Sequence, residues 1–250
     1  MLTEERQQAI LSLLNEKNII KTRELMSSLD VSESTIRRDL QEMEAEGILR
    51  RVHGGAKRTI KLEAELDMTE KSAKNLHEKN LIGAYAASLV TEGEFIYLDA
   101  GTTTYEMLPF LKDKKIHVVT NSVQHASVGI DLGLQITMIG GTIRNTTKAA
   151  VSHQAIEQIK MCYFDKAFMG ANGVHDEYGY TTVDAEEAAI KKVAMHQAQH
   201  VFVLADGTKI DKVNFSKIGN IEEALLITDS LQEDQKERLQ NKTTIKEVLK

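Results

Sequence analysis

Residues 32–57 read SESTIRRDLQEMEAEGILRRVHGGAK. Ser32 predicts a helix N-cap, because its hydroxyl can accept from the first free backbone N–H groups. Ile36, Leu40 and Met43 then recur at i, i+4 and i+7 and predict one buried stripe. Ser34, Thr35, Arg37, Arg38 and Gln41 fall off that stripe. Gly47 is placed to end the helix as the residue beyond its C-cap. Ile48 and Leu49 lead into Arg50, Arg51, Val52 and His53, and Gly54-Gly55 predicts a tight two-residue hairpin turn before Ala56, Lys57 and Arg58.

Upstream, Thr3 predicts the cap of a first helix with Ile10, Leu13 and Leu14 inward, ended by Lys17-Asn18. Ile19-Ile20 reads as a short extended piece. Thr22 predicts the cap of a second helix with Leu25, Met26 and Leu29 inward, and Asp30-Val31 reads as a tight turn. Helix, helix, turn, helix and basic hairpin make a winged helix-turn-helix, whose last helix enters the major groove by its N-terminal end. Ser34, Thr35, Arg37 and Arg38 then lie where base edges and phosphates would be. Arg50, Arg51, His53 and Lys57 of the hairpin can straddle phosphates or a minor groove. Two adjacent arginines alone would better suit a solvated helix face; the basic hairpin beside them decides for double-stranded DNA.

The net charge of −6 looks wrong for such a partner. Residues 1–58, however, hold ten Lys/Arg and ten Asp/Glu, so the remaining 192 residues carry the whole excess. A local basic edge can attract DNA while the acidic remainder repels it. The single cysteine, Cys162, excludes an intrachain disulfide and suits a small buried hydrophobe. No apolar run is long enough to span a membrane. The opening MLTEERQQAI does not look like a signal peptide, so the expectation is a cytoplasmic protein.

Residues 59–74 are charged, lack strong periodicity and read as a linker with a short helix. The expected division is thus 1–58 for the DNA-binding domain, 59–74 for the linker and 75–250 for a second domain. A helix from Asn75 carries Leu81, Ile82, Tyr85, Leu89 and Val90 inward. Short apolar strands follow at 95–99, 116–120, 135–139, 166–170, 201–205 and 225–228, with helices between most of them. Residues 231–250 read as a polar helix and a last short strand. That alternation predicts an α/β domain on a parallel sheet with helices on both faces. Pro109, the only proline, is expected to end or kink the helix after the first of these strands.

In open parallel sheets, ligands bind beyond the carboxyl ends of the strands. There the sequence places Asp99 with Gly101, Thr102, Thr103 and Thr104; then Thr120, Asn121 and Ser122; then Gly140, Gly141 and Arg144; then Gly170, Ala171 and Asn172; and finally Asp206 and Lys209. Each group alone is ordinary turn chemistry. Five successive strand ends with small or hydrogen-bonding residues suggest a polyol or sugar-phosphate pocket.

TEERQQAIL, VSESTIRRDLQEME and RVHGGA resemble the N-terminal domain of the DeoR family of bacterial transcriptional regulators. YLDAGTTT, VVTNS, GGTIR, FMGANG and VLADGTK resemble its sensor domain, which is similar to ribose-5-phosphate isomerase and glucosamine-6-phosphate deaminase. The resemblance implies a winged helix-turn-helix followed by a parallel-sheet, sugar-phosphate-isomerase-like sensor domain. It implies that Gly101 to Thr104 and Lys209 hold phosphate and that Asp99, Asn121, Asn172 and Asp206 face sugar hydroxyls. It also places Glu187 and Lys191, at i and i+4, near the pocket mouth; a surface ion pair is the alternative. Family members often carry an arginine before the helix at residue 75; Lys71 is the nearest residue here, and no role passes to it.

An isomerase would need a positioned carboxylate base, and Asp99, Glu187 and Asp206 are in the right neighbourhood. A fused DNA-binding domain favours a regulator over an enzyme. His117, His125, His153, His175, His196 and His200 are scattered; His196 and His200 stand at i, i+4 on one expected helix, without a third ligand, so neither metal nor other cofactor is expected. Within the family the chain most resembles repressors of fructose operons, which implies fructose 1-phosphate as effector; tagatose, deoxyribose and glycerol phosphates fit the same chemistry. Paired operator half-sites imply a homo-oligomer, a dimer or tetramer.

Overall fold

The computed structural model describes residues 2–17, 19–58 and 68–249. Asn18 and the 59–67 part of the expected linker lie outside the described residues. Two compact units emerge, Met1–Lys61 and Leu62–Lys250.

The first unit runs α1 (Thr3–Lys17), β1 (Ile19–Lys21), α2 (Thr22–Leu29), α3 (Glu33–Ala45), β2 (Leu49–Val52) and β3 (Gly55–Arg58). Ile10, Leu14, Leu25, Ile36, Leu40 and Met43 share one core with Ile20 and Leu49. Ser32 caps α3 through the Thr35 N–H at 3.3 Å. Asp30, at φ 51°, turns the chain out of α2. At the end of α3, Gly47 N–H donates to Glu44 O and Ile48 N–H to Met43 O, a Schellman closure with Gly47 at φ 73°. Thr22 is the first residue of α2 and not its cap; Lys21 holds that place, its N–H received by Glu24.

The wing turn differs from expectation by one residue. Val52 pairs with Gly55, so the loop is His53-Gly54, and Gly54 takes φ 78°. Gly55 lies inside β3, where β1 crosses it; a Cβ there would sit 2.1 Å from Ile20 O. The second glycine is thus demanded by space, the first by the turn.

The second unit continues with α4 (Met68–Ala73), α5 (Leu76–Ser88), β4 (Phe95–Leu98), α6 (Thr102–Tyr105), α7 (Leu108–Leu111), β5 (His117–Thr120), α8 (Val123–Asp131), β6 (Gln135–Met138), β7 (Thr142–Ile143) and β8 (Ala150–Val151). Then come α9 (His153–Lys160), β9 (Phe164–Gly170), β10 (Gly173–His175), β11 (Gly179–Thr182), α10 (Ala185–His196), β12 (Ala198–Leu204), β13 (Ser216–Gly219), β14 (Leu225–Thr228), α11 (Glu233–Gln240) and β15 (Ile245–Glu247). Seven strands form one parallel sheet in the order β15-β14-β12-β9-β4-β5-β6. β4 starts in the middle, β5 and β6 extend to one side, and β9 returns to the other. The strand order therefore reverses between β4 and β9.

Helices cover both faces. Ile82 and Ala86 of α5 pack with Leu108 and Leu111 of α7 in one core; Ile159 of α9 and Ile190 and Ala194 of α10 pack in the other. A small antiparallel sheet, β10-β11-β13, and the β7-β8 ribbon were not expected; their strands are too short to leave a periodic signal. Pro109 does not end a helix. The chain breaks after Tyr105, and Pro109 is the second residue of α7, where its missing N–H costs nothing. His196 ends α10 whereas His200 lies in β12, so the two do not share a helix. No helix among the described residues is long and apolar enough to cross a membrane.

Candidate functional site

On the first unit, Ser34, Arg37, Arg38, Arg50, Arg51, His53 and Lys57 are all exposed, and Thr35 is half-buried. Ser32, Ser34 and Thr35 join hydroxyls at the start of α3, each 2.9 Å from the Ser32 oxygen. Arg37 is held by Glu33 one turn back, at 2.6 and 2.9 Å. Arg51 donates its backbone N–H to the Glu44 carboxylate at 2.8 Å. Arg50 and Lys57 stand directly opposite each other in the wing. Like charges in that position destabilise a hairpin, and a polyanion removes the cost.

α3 itself is anchored from behind. Arg6 Nε lies 2.5 Å and Nη2 2.9 Å from the two oxygens of Asp39, both side chains buried. Asp39 falls between Ile36 and Leu40 on the inward face, a charged residue on the buried side; that was the signal available in the sequence.

In the second unit, a pocket opens at the carboxyl ends of β4, β9 and β12, across the point where the strand order reverses. Its lining includes Gly101, Thr102, Thr103, Gly170, Ala171, Asn172, Glu187, Lys191, Asp206 and Lys209. Gly101 and Gly170 bring their backbones together: a Cβ on either would lie 3.5 Å from the other's Cα. Asp99 lies beneath, buried, accepting the Gly170 N–H at 3.0 Å and paired with the Lys191 ammonium. Glu187 and Lys191 are both buried, so they do not form a surface ion pair. Glu187 accepts from Thr147 at 2.5 Å and lies 3.6 Å from Arg144, which also pairs with Asp184.

The lining also contains Lys71 on α4, to which the sequence reading gave no role, and residues it missed: Lys74 after α4, Asn75, Lys79 on α5, Thr147 and Thr208. Asn75 is the N-cap of α5, its carbonyl accepting the Lys79 N–H at 3.0 Å. It sits at φ 52° between α4 and α5, and its amide reaches Asp206 at 3.0 Å and Thr208 at 3.4 Å. Lys79 donates to Lys71 O. Burial lowers its pKa below the lysine range; Asp206 opposes that shift and Lys209 adds to it. These cations were illegible as a set, because only the fold brings α4, α5, α10 and the loop after β12 to one place.

Seven expected residues do not line the pocket: Asp99, which lies beneath it, and Thr104, Thr120, Asn121, Ser122, Gly140 and Gly141. Asn121 is buried, accepting from Tyr97 Oη at 3.0 Å and donating to Ala150 O. Thr120 receives the Ser122 N–H, and Ser122 caps α8. The Gly140 peptide is closed on both sides by Gln158, and at Gly141 a Cβ would meet Val151 O at 2.7 Å. Thr104 is buried below the pocket and donates to Asp99 O at 2.6 Å. Its one proton is thereby committed, so His125 Nε2, 3.2 Å away, must donate to it, while Nδ1 takes the Ser122 hydroxyl at 2.7 Å. Burial drives the His125 pKa down to about 4, consistent with a neutral ring.

A winged helix-turn-helix with a basic wing, carried on a chain whose parallel α/β unit holds a cationic pocket at its switch point, defines a DNA-binding regulator with its own ligand-sensing domain. Two family models match in the same order: the DeoR-like helix-turn-helix domain over residues 6–61 and the DeoR C terminal sensor domain over residues 74–230. The chain belongs to the DeoR family of transcriptional regulators. It is 44% identical over 249 residues to the uncharacterized HTH-type transcriptional regulator FruR of Bacillus subtilis, covering 99% of each chain. It is 34% identical to the HTH-type transcriptional repressor GlcR of the same organism, covering 92% of this chain and 90% of that one. Among solved structures, ribose 5 phosphate isomerase A of Neisseria gonorrhoeae matches with a TM-score of 0.41 and 15% identity, over 54% of this chain and 53% of that one.

Proposed function

We propose that the chain is a cytoplasmic repressor of a sugar-catabolism operon, released from its operator when a phosphorylated sugar fills the pocket. The observation that carries this reading is the convergence of Lys71, Lys74, Lys79, Lys191 and Lys209 on one small pocket. Lys79 and Lys191 are buried there, Lys71 and Lys209 half-buried and Lys74 exposed; gathering like charges at one place favours an anion among them, and a phosphate supplies two negative charges with several acceptor oxygens. Relatives named as a transcriptional repressor and as a lactose phosphotransferase system repressor support repression and a sugar. The effector is fructose 1-phosphate, on the resemblance of the sequence to repressors of fructose operons.

Asp99, Glu187 and Asp206 each hold partners already, so none stands as a ready general base; this favours sensing over isomerisation. The active form is a homo-oligomer that matches paired half-sites. The effector must bind the DNA-incompetent arrangement more tightly than the competent one, because equal affinity shifts nothing.

Thermal unfolding of the purified chain against sugar phosphates tests the reading. Fructose 1-phosphate at a hundredfold excess over its dissociation constant stabilises the fold by about 2.7 kcal/mol, and fructose does not. Equal shifts with fructose and its phosphate would remove the phosphate from the reading.

A further inference from the structure

The pocket is chemically two-sided. Lys71, Lys74 and Lys79 reach it from α4, the turn after it and α5, and α5 packs on one face of the sheet; Glu187 and Lys191 reach it from α10, on the other. Thr147, from the loop between β7 and β8, joins the α10 side. It is 3% exposed, lines the pocket, and gives its hydroxyl proton to Glu187 Oε1 at 2.5 Å. Arg144 of the same loop pairs with Asp184, the residue that caps α10 by accepting the Glu187 N–H at 2.9 Å. Loop and helix are thus clamped together, and the Thr147 hydroxyl has little freedom to turn.

A threonine hydroxyl has one proton and two lone pairs. With the proton given to a carboxylate, what Thr147 can offer a ligand is acceptance only. Such a corner takes a hydroxyl proton and disfavours a phosphate oxygen, which has none to give. The neighbouring Glu187 carboxylate reinforces that sign.

Building on the sugar-phosphate reading above, we propose that Thr147, locked as an acceptor by Glu187, is a specificity-determining residue that binds a hydroxyl of the sugar and fixes which end of the ligand faces the lysines. The phosphate then lies toward α4 and α5, and the polyol toward α10. An acceptor that must be desolvated to admit a ligand rejects a compound lacking the matching hydroxyl more strongly than it rewards one that has it.

The test compares fructose 1-phosphate with inorganic phosphate by calorimetry, on the full chain and on two variants. Thr147→Val keeps the shape and removes the oxygen; Thr147→Ser keeps the oxygen. The expected result is that Thr147→Val loses about tenfold or more in affinity for fructose 1-phosphate and less than about twofold for inorganic phosphate, while Thr147→Ser holds both within about twofold. Equal losses for both ligands in Thr147→Val, or no loss for either, overturns the role of Thr147 and leaves the phosphate pocket standing. A full chain that binds neither compound overturns the pocket reading itself, and this proposal with it.

Discussion

Arg6 and Asp39 form a two-pronged buried ion pair that ties the first helix to the middle of the third. The pair lies behind the face that carries Arg37 and Arg38, so it sets how that face is held. Removing one partner leaves a buried charge uncompensated. Asp39→Ala is expected to lose about 3 kcal/mol of stability in the first unit, read from urea unfolding of the full chain monitored at residues of that unit. A loss below half a kcal/mol would mean that water replaces the pair at no cost.

The wing supplies a prediction in which two adjacent glycines differ in kind. Gly55→Ala places a methyl group 2.1 Å from Ile20 O and should cost about 2 kcal/mol by forcing β1 and β3 apart. Gly54→Ala meets nothing within 4 Å and pays only for its φ of 78°, about 1 kcal/mol. Parallel denaturation curves decide it; the reverse ranking would contradict the observed register.

Arg38 and Arg37 should not behave alike on DNA. Arg37 is engaged by Glu33, whereas Arg38 has no ion pair among the described residues. Arg38→Ala should weaken binding to operator duplex by about 1–3 kcal/mol if it reads a base. Arg37→Ala should weaken it less, because freeing Arg37 from its helix pair offsets part of the gain. Fluorescence anisotropy across a salt series checks both; unchanged affinity in both variants would remove α3 from the groove.

Lys209 separates sensing from binding. Lys209→Ala should raise the fructose 1-phosphate concentration needed for operator release by tenfold or more, as one charge-assisted contact is lost. Release at the normal concentration in a gel-shift titration would take Lys209 out of phosphate contact.

His125 predicts an acid weakness. Its folded pKa is depressed to about 4 from the ordinary 6.5, so the unfolded chain binds the extra proton first. The neutral ring's contribution is complete above pH 6.5 and declines as pH falls toward 4. Between pH 7.5 and pH 5 it amounts to about 2 kcal/mol. Urea midpoints at the two pH values should differ by that much in the native chain and by less in His125→Gln. An equal drop in both would assign the acid sensitivity to other groups.

What could be read from the chain alone was what short-range physics controls. The Ser32 cap, the stripe of Ile36, Leu40 and Met43 and the closure at Gly47 each depend on neighbours within a turn or two of helix, and all three stand as read. The parallel sheet was legible because the second halves of β9 and β12, Ala167 to Met169 and Val201 to Leu204, are continuous apolar runs. Turn placement at His53-Gly54 missed by one residue, and Pro109, expected to end or kink one helix, lies in the first turn of a separate one, α7, since several registers satisfy the same local preferences. Tertiary structure alone decided which strand ends share a crevice. Lys191 meets Asp99 across 92 residues of chain, and Asn75 meets Asp206 across 131. It also decided that Asn121 and Gly140, spaced like the others along the chain, lie outside the pocket. Strand order is set by how helices pack across both faces of the sheet, and that packing energy belongs to no single stretch of sequence.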